Sequence, residues 1–253
     1  MVDIHSHILP GLDDGPATLE ESVAMVRMAA ESGTTDIVAT PHANLEYSFE
    51  PELVDRKIAE LAEASGGAAR IHRGCDFHLY YENIQRALAD PARYAINGKG
   101  YLLVEFSDLL IFPAAGEVFG RMRESGLTPV ITHPERNALL ARDLEQLRQW
   151  VDAGCRVQVT AQSLSGRFGR RVRAATEEML RCGLVHFVAS DAHDARHRPP
   201  VLAEAYRHVA ARYGDEHARA LFVTNPRAAL VGEEVRARLP EPEARPRKWG
   251  QWW

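Results

Sequence analysis

Cysteine is scarce in this chain of 253 residues, and three common sequence signatures of hydrolases are absent. Cys75, Cys155 and Cys182 are odd in number and scattered, which argues against a disulfide framework and is typical of a reducing compartment. None of them begins a Cys-x5-Arg loop, so a phosphatase with a cysteine nucleophile is excluded. The Gly-x-Ser-x-Gly motif of serine hydrolases and the Gly-x4-Gly-Lys motif of phosphate-binding loops are also absent.

Long apolar runs are absent as well, and no signal peptide is visible in the sequence. No uninterrupted apolar stretch is long enough to span a bilayer, and the N-terminus has no basic segment followed by an apolar one. We therefore expect a cytoplasmic protein without direct membrane insertion. The net charge of -5 gives no general electrostatic case for binding nucleic acid.

Strand-like and helix-like segments alternate along the chain. The seven predicted strands cover residues 2–7, 36–40, 69–76, 101–106, 128–133, 156–160 and 185–190. Thr18 and Glu21 form a capping box that predicts the start of the first helix, and Asn225 with Pro226 predicts a cap for a short final helix. Because this alternation predicts a parallel sheet and polar residues gather at strand ends throughout the chain, we favour an α/β fold with a distorted (β/α)7 TIM-like barrel.

The main part of the chain and its end differ in composition. Residues 1–235 carry the strand and helix pattern and are expected to form a single domain. Residues 236–253 are rich in Pro, Arg and Trp, a composition typical of a flexible tail. Docking of Trp249, Trp252 and Trp253 on the barrel or on a partner is the alternative interpretation.

The first predicted strand runs into two histidines one residue apart, His5 and His7. Side chains at positions i and i+2 of a strand point the same way, so both imidazoles can face one point in space. Taken alone, this pair is as compatible with ordinary histidines as with metal ligands. The residues at the ends of the other strands decide between the two interpretations.

Imidazole and carboxylate groups recur at the carboxyl ends of most predicted strands. They are His5, His7, Asp13 or Asp14, His42, Asp76, Glu105, His133, Asp191 and His193. Mixed His and carboxylate ligands suit divalent ions such as manganese, iron and zinc. These groups are too many for one ion and suffice for two or three ions that share bridging carboxylates. His78 follows two residues after Asp76 and is interpreted as a surface residue.

A metal cluster of this kind favours the hydrolysis of phosphate esters, because clustered metals activate water and neutralise charge on phosphoryl oxygens. Two arginines lie close in sequence to candidate ligands: Arg136 follows His133, and Arg198 follows His193. Either guanidinium can form a fork with phosphate oxygens. Pairing of these arginines with acids on the surface is the alternative.

Six short motifs, in this order and spacing, resemble those of the polymerase and histidinol phosphatase (PHP) superfamily. They are Asp-Ile-His-Ser-His at 3–7, Asp-Asp-Gly at 13–15, Thr-Pro-His at 40–42, Val-Glu-Phe-Ser at 104–107, Thr-His-Pro-Glu-Arg at 132–136 and Ser-Asp-Ala-His at 190–193. Within the superfamily, the chain most resembles the bacterial metal-dependent protein tyrosine phosphatases of capsule and exopolysaccharide operons. The similarity runs from Val2 to about Leu230.

The resemblance implies a PHP fold that holds three divalent ions, with manganese favoured over iron or zinc. By analogy with the family, the ligands are His5, His7 and Asp191 for the first ion, Glu105 and His133 for the second, and Asp13 or Asp14, His42 and His193 for the third. Asp76 would bridge the first two ions, where the family usually has the longer Glu. Arg136 and Arg198 match arginines that position phosphate, and His42 and Asp191 are expected to be essential to catalysis with them.

The function that the resemblance implies is that of a protein tyrosine phosphatase, a phosphoric monoester hydrolase. Water activated by the metals would attack phosphorus without a cysteinyl intermediate. The expected partner is the phosphotyrosine-bearing tail of a bacterial tyrosine kinase of capsule or exopolysaccharide assembly. Two alternatives stay open: a phosphoesterase of the same superfamily that acts on histidinol phosphate or a nucleotide, and a non-catalytic regulatory module that only binds metal.

Overall fold

A computed structural model describes residues 1–107 and 109–236 of the chain. The strands in this part are β1 (Val2–Ser6), β2 (Asp36–Ala39), β3 (His42–Ala43), β4 (Arg70–Arg73), β5 (Asp76–His78), β6 (Tyr101–Glu105), β7 (Thr128–Thr132), β8 (Arg156–Thr160) and β9 (Phe187–Ala189). The predicted tail, residues 236–253, lies outside the described residues except for Arg236.

Helices alternate with these strands. The α-helices of the described part are α1 (Leu19–Glu31), α2 (Pro51–Ala64), α3 (Tyr81–Ala89), α4 (Pro91–Tyr94), α5 (Ala115–Glu124), α6 (Leu144–Asp152), α7 (Ala161–Ser165), α8 (Arg170–Arg181), α9 (Ala203–Tyr213), α10 (Asp215–Arg219) and α11 (Asn225–Val231). Ile96–Gly98 and Leu140–Arg142 are 3₁₀ turns, and Ala220–Thr224 is a π-helical turn. No helix within residues 1–107 and 109–236 has the length and apolarity that crossing a membrane requires.

The first helix begins where the sequence predicts. Oγ1 of Thr18 accepts a hydrogen bond from the backbone N–H of Glu21, and the Glu21 carboxylate accepts one from the backbone of Thr18. This reciprocal pair satisfies N–H groups that no carbonyl within the helix can reach. The predicted cap of the final helix is wrong, because the π-helical turn runs directly into α11. The Asn225 side chain donates instead to the carbonyl of His186.

The strands pair in parallel, in the orders β1-β2-β4 and β3-β5-β6-β7-β8-β9. The predicted strand over residues 69–76 is interrupted once, and a short strand that was not predicted, β3, follows the predicted strand over residues 36–40. β2 and β3 are separated at residues 40–41, where Pro41 has no N–H to donate, and β4 and β5 at residues 74–75. Gly74 permits a close approach at the second break, since a Cβ there would lie 2.6 Å from Cγ1 of Val38. With β2 and β3 counted as one strand and β4 and β5 as another, the strand positions match the seven predicted.

The two ends of the sheet meet at β1 and β9. Ser6 and Ala192 form a parallel bridge, and the backbone N–H of Asp191 donates to the carbonyl of His5 over 2.8 Å. The N–H of His7 donates to the carbonyl of Ala192 over the same distance, 2.8 Å. These contacts close the barrel, which confirms the predicted (β/α)7-like α/β fold.

The apolar core has two parts. A cluster that includes Ile4, Val38, Leu103, Val130 and Phe187 is fully buried and fills the inside of the barrel. A larger cluster packs the outward faces of the strands against the helices. Because the interior is filled in this way, the polar side chains at the carboxyl ends of the strands lie above a packed apolar floor.

Candidate metal centre

The carboxyl end of the barrel brings the predicted ligands together. The side chains come from the end of β1 and the residues that follow it (His5, His7, Asp14), from β3 (His42), β5 (Asp76) and β6 (Glu105), and from the residues that follow β7 and β9 (His133, Asp191, His193). All but Asp14 and Glu105 have side chains that are 12% exposed or less. The prediction that these strand ends converge is therefore confirmed by their positions.

The first group joins the two histidines of the opening strand to two carboxylates. Nε2 of His5 lies 3.3 Å from Nε2 of His7, 3.5 Å from Oδ2 of Asp76 and 3.6 Å from Oδ1 of Asp191. Nε2 of His7 lies 4.0 Å from Oδ2 of Asp76 and 3.6 Å from Oδ1 of Asp191. Two imidazoles and two carboxylates thus face one point, as the i and i+2 spacing predicts.

The second group lies around Asp14. Its Oδ1 is 3.4 Å from Nε2 of His42 and 3.3 Å from Nε2 of His193. Asp13 faces elsewhere, because its Oδ2 lies 2.7 Å from Nδ1 of His7 and accepts the backbone N–H of His42 at 3.1 Å. Asp14 therefore faces the cluster, whereas Asp13 lies behind His7.

The third group surrounds Glu105. Oε1 of Glu105 is 3.5 Å from Nε2 of His133, and Oε2 is 3.6 Å from Nδ1 of His42. Oε2 also contacts Nε2 of His78, whose side chain is only 28% exposed. The interpretation of His78 as a surface residue is wrong, since it faces the cluster between Glu105 and His42, with ring centroids of the two histidines 5.4 Å apart.

Two residues of the cluster have an unusual backbone conformation. His133 and Asp191 adopt φ values of 32° and 49°, in the left-handed region. This conformation costs a residue other than glycine about 1–3 kcal/mol, and such residues concentrate at functional sites. His133 directly follows β7 and Asp191 lies two residues after the end of β9, and each turn directs the side chain at the cluster.

A glutamine that the sequence analysis missed holds His5 in place. Oε1 of Gln158, on β8, lies 3.0 Å from Nδ1 of His5, and both residues are fully buried. In the neutral ring that can bind a cation, a proton on Nδ1 of His5 is donated to Gln158, and the lone pair of Nε2 faces the carboxylates. No sequence signal distinguishes this glutamine, because its role depends on the lateral neighbours of β8 in the closed barrel.

Several buried polar atoms of the cluster take part in no hydrogen bond: Nδ1 of His42, both carboxylate oxygens of Asp76, Nε2 of His78 and Oε2 of Glu105. Buried polar groups are satisfied in the great majority of cases, so this concentration needs a cause. Four sets have ligand atoms within 4.8 Å of one another: His7, Asp14, His42 and His193; His42, Asp76, His78 and Glu105; His5, His7 and Asp76; and His5, His133 and Asp191. The residues present therefore fit a cluster of divalent ions.

The charges of the cluster depend on one another. Burial disfavours the charged form of His5, but the carboxylates of Asp76 and Asp191 outweigh it and raise the pKa of His5 to about 9. Burial also disfavours the charged form of His42, but the carboxylates of Asp14 and Asp76 outweigh this effect and raise the pKa of His42 to about 11. Protonated imidazoles thus balance the carboxylates, and a cation bound among these groups would replace the protons.

The two predicted phosphate-binding arginines converge on one carboxylate oxygen. Nη1 of Arg136 and Nη2 of Arg198 both donate to Oδ2 of Asp191, the latter over 2.5 Å. The guanidinium of Arg136 also lies 4.7 Å from the ring centroid of Phe168. The acid that these arginines contact is buried in the cluster, so the alternative of pairing with surface acids is wrong.

Comparison with known proteins agrees with this geometry. A family model described as capsular polysaccharide synthesis, CpsB/CapC, matches residues 1–231. The tyrosine-protein phosphatase YwqE of Bacillus subtilis is 32% identical over 254 residues, which cover 99% of this chain and 99% of YwqE. The tyrosine-protein phosphatase CpsB of Streptococcus pneumoniae is 31% identical over 247 residues, 93% of this chain and 100% of CpsB.

A solved structure is also similar over nearly the whole chain. It comes from crystal structures of YwqE and CpsB, described as metal-dependent tyrosine phosphatases. The TM-score is 0.88 at 32% sequence identity, and the match covers 97% of this chain and 100% of the other. The resemblance to tyrosine phosphatases of capsule operons is thereby confirmed. The chain belongs to the CpsB/CapC family of capsular polysaccharide synthesis.

Proposed function

We propose that the chain is a metal-dependent protein tyrosine phosphatase that hydrolyses phosphotyrosine in proteins. The observation that carries this proposal is the buried cluster of imidazoles and carboxylates at the carboxyl end of the barrel, with its unpartnered polar atoms. Such a donor set suits hydrolysis assisted by divalent metals. The substrate class is supported by the relatives named tyrosine-protein phosphatases, which match over nearly their full length.

The proposed metal centre has three divalent ions, with manganese as the favoured ion. The proposed ligand sets are His5, His7, Asp76 and Asp191; Asp76, Glu105 and His133; and Asp14, His42 and His193. This division is supported by contacts of 4.0 Å or less that join His5 and His7 to Asp76 and Asp191, Glu105 to His133, and Asp14 to His42 and His193. Ions bound there would lower the pKa of a water molecule and neutralise charge on the phosphoryl oxygens.

Arg136 and Arg198 are proposed to bind the phosphoryl group of the substrate. Their side chains are 25% and 24% exposed, so both reach the open side of the cluster while they contact Asp191. A guanidinium has five N–H donors, and the contact with Asp191 leaves others for phosphate oxygens. Asp191 thus positions the two arginines as well as facing His5 and His7.

His42 is proposed as a second essential residue, because it connects two parts of the centre. Its Nε2 faces Asp14 at 3.4 Å, and its Nδ1 faces Asp76 at 3.2 Å. Loss of its ring would remove a ligand and leave both carboxylates without their nearest imidazole. Asp191 has a comparable position between the histidines and the arginines.

The proposed partner is the phosphorylated, tyrosine-bearing tail of a bacterial tyrosine kinase of capsule or exopolysaccharide assembly. The family description, capsular polysaccharide synthesis, supports this choice of pathway. The proposed place of action is the cytoplasm, in keeping with three scattered cysteines that form no disulfide among the described residues. Residues 1–235 are proposed to form the phosphatase domain, with the remaining residues as a flexible tail.

A comparison of substrates tests the proposed activity. The purified chain, supplied with Mn²⁺, is assayed on a phosphotyrosine peptide, histidinol phosphate and nucleoside monophosphates, and His42→Ala serves as the inactive control. We expect the highest kcat/KM for the phosphotyrosine peptide. A preference for histidinol phosphate or a nucleotide would overturn the substrate class, and absence of hydrolysis of every substrate would favour a non-catalytic module.

A further inference from the structure

Strand β5 carries two side chains of metal-ligating type, Asp76 and His78, two positions apart. In the parallel register, Asp76 is paired with His42 of β3, and His78 is paired with Glu105 of β6. Side chains two positions apart on a strand share a face. The four side chains are therefore presented to the same space at the mouth of the barrel.

The four groups are close enough to bind one ion. Nε2 of His78 contacts Oε2 of Glu105, and Oδ2 of Asp76 is 3.2 Å from Nδ1 of His42. One ligand atom from each of the four residues lies within 4.8 Å of the other three. Ligand bonds of about 2.0–2.4 Å to a shared ion permit this spread.

The short distance between His78 and Glu105 does not give either side chain a hydrogen bond there. Nε2 of His78 and Oε2 of Glu105 are buried, and neither takes part in a hydrogen bond of acceptable geometry. Both carboxylate oxygens of Asp76, whose side chain is 1% exposed, are likewise buried and take part in no hydrogen bond. A cation placed among these atoms would satisfy all of them, whereas a simple pairing of His78 with Glu105 leaves Asp76 unsatisfied.

The neighbouring imidazole, His42, is required elsewhere. A neutral imidazole has a single nitrogen lone pair, so it can ligate one ion. Nε2 of His42 lies 3.4 Å from Asp14, which also contacts His193 at 3.3 Å. When His42 binds an ion with these two residues, the carboxylates of Asp76 and Glu105 lack an imidazole on this side unless His78 supplies it.

We propose that His78 is a further ligand of the divalent ion held by Asp76 and Glu105. The inference rests on the proposed function, since it concerns the same metal centre. Asp76 has only one methylene between its backbone and its carboxylate, so its reach across the centre is short. His78, on the same face of β5, adds a nitrogen ligand on the side where Glu105 presents Oε2.

Binding of Mn²⁺ to the full chain, stripped of metal and then equilibrated with Mn²⁺, tests this inference. His78→Ala removes the ligand, and His78→Lys removes it but keeps a positive charge beside Glu105. His208→Ala is the matched control, because His208 contacts Glu177 on α8 outside the cluster. Thermal unfolding of the metal-free variants verifies that each retains the fold.

We expect both His78 variants to bind one ion at least about 10-fold more weakly than the parent, with the remaining ions and the His208→Ala control unchanged. Parent-like binding by His78→Ala would overturn the inference. Binding of Mn²⁺ that is weakened in His78→Ala but restored in His78→Lys would also overturn the inference. In that case the positive charge of His78, paired with Glu105, would be what supports the ion, and not a nitrogen ligand. A chain that binds Mn²⁺ through His78 and yet fails to hydrolyse phosphotyrosine would contradict the proposed function and support this inference.

Discussion

Oδ2 of Asp13 lies 2.7 Å from Nδ1 of His7, and both side chains are almost fully buried. This hydrogen bond fixes the ring of His7 so that Nε2 faces Asp76 and Asp191. Asp14, the next residue, has a side chain that is 51% exposed and faces His42. Two adjacent acids therefore have different parts in one site, one orienting a ligand and the other facing the cluster as a ligand.

This difference predicts distinct kinetic effects of two conservative substitutions. Asp13→Asn weakens the support of His7, so we expect the Mn²⁺ concentration for half-maximal activity to rise about 10–100-fold, with kcat largely restored by excess Mn²⁺. Asp14→Asn replaces a carboxylate by a poor ligand, so kcat is expected to fall about 100-fold or more even with excess Mn²⁺. Activity titrated against Mn²⁺ measures both. The reverse order of effects would contradict the assignment.

Removal of the Gln158 side-chain amide is expected to loosen metal binding without touching a ligand. Gln158→Leu deprives Nδ1 of His5 of its acceptor, so the ring loses its preferred orientation and tautomer. We expect metal loss to an excess of chelator to become about 10–100-fold faster. Gln149→Ala, at an exposed position on α6, is the control. Identical rates of metal loss in Gln158→Leu and the parent would show that Gln158 does not support His5.

Alkylation of thiols is expected to leave hydrolysis unchanged. Burial raises the pKa of Cys155 to about 12 and that of Cys75 well above its ordinary value, so neither is a thiolate at neutral pH. Cys182, at the end of α8, is partly exposed and is the thiol that a reagent can reach. Activity measured before and after iodoacetamide treatment tests this expectation. Inactivation in proportion to modification, abolished in Cys182→Ser, would point to a role for that thiol.

Asp36 gives the stability of the fold a defined dependence on pH. Burial alone would raise its pKa, but hydrogen bonds from Arg70, His72 and Thr35 outweigh burial and lower the pKa of Asp36 to about 2. A carboxylate with a depressed pKa stabilises the folded state above its unfolded pKa and loses this effect as the pH falls towards its folded pKa. The stabilisation is therefore complete at neutral pH and disappears between pH 3.8 and about 2.

Urea unfolding of metal-free protein measures this effect in Asp36→Asn. At pH 7 we expect the variant to lose about 1 kcal/mol of unfolding free energy, a modest value because Arg70 is largely exposed. The difference from the parent is expected to shrink as the pH is lowered below 4. Asp55→Asn, at an exposed pair with Arg73, is the control. A deficit that stays constant down to pH 2.5 would contradict the depressed pKa.

Local patterns in the sequence were sufficient to predict the main architecture and most of the candidate ligands. Apolar strands alternating with helices predict a parallel barrel, and the capping box of Thr18 and Glu21 fixes the start of α1. Because parallel strands all present their carboxyl ends on one side, residues far apart in sequence, such as His5 and Asp191, can be predicted to meet.

Features that depend on lateral register were not predictable. The sequence does not show that a strand resumes at Asp76 and continues to His78, so the shared face of these two residues was missed. The contact of Gln158 with His5 likewise requires the closed barrel. The predicted cap at Asn225 failed because a preceding π-helical turn extends the helix backwards, which no local motif reveals.

The central claim is that phosphotyrosine hydrolysis depends on divalent metal held by the cluster. The most direct measurement is the rate of phosphate release from a phosphotyrosine peptide. The protein is first stripped of metal with a chelator until elemental analysis detects none, and Mn²⁺ is then returned stepwise. We expect no hydrolysis by the stripped protein and recovery of activity as Mn²⁺ binds. Undiminished hydrolysis by protein that contains no metal would contradict the dependence on a metal held by the cluster.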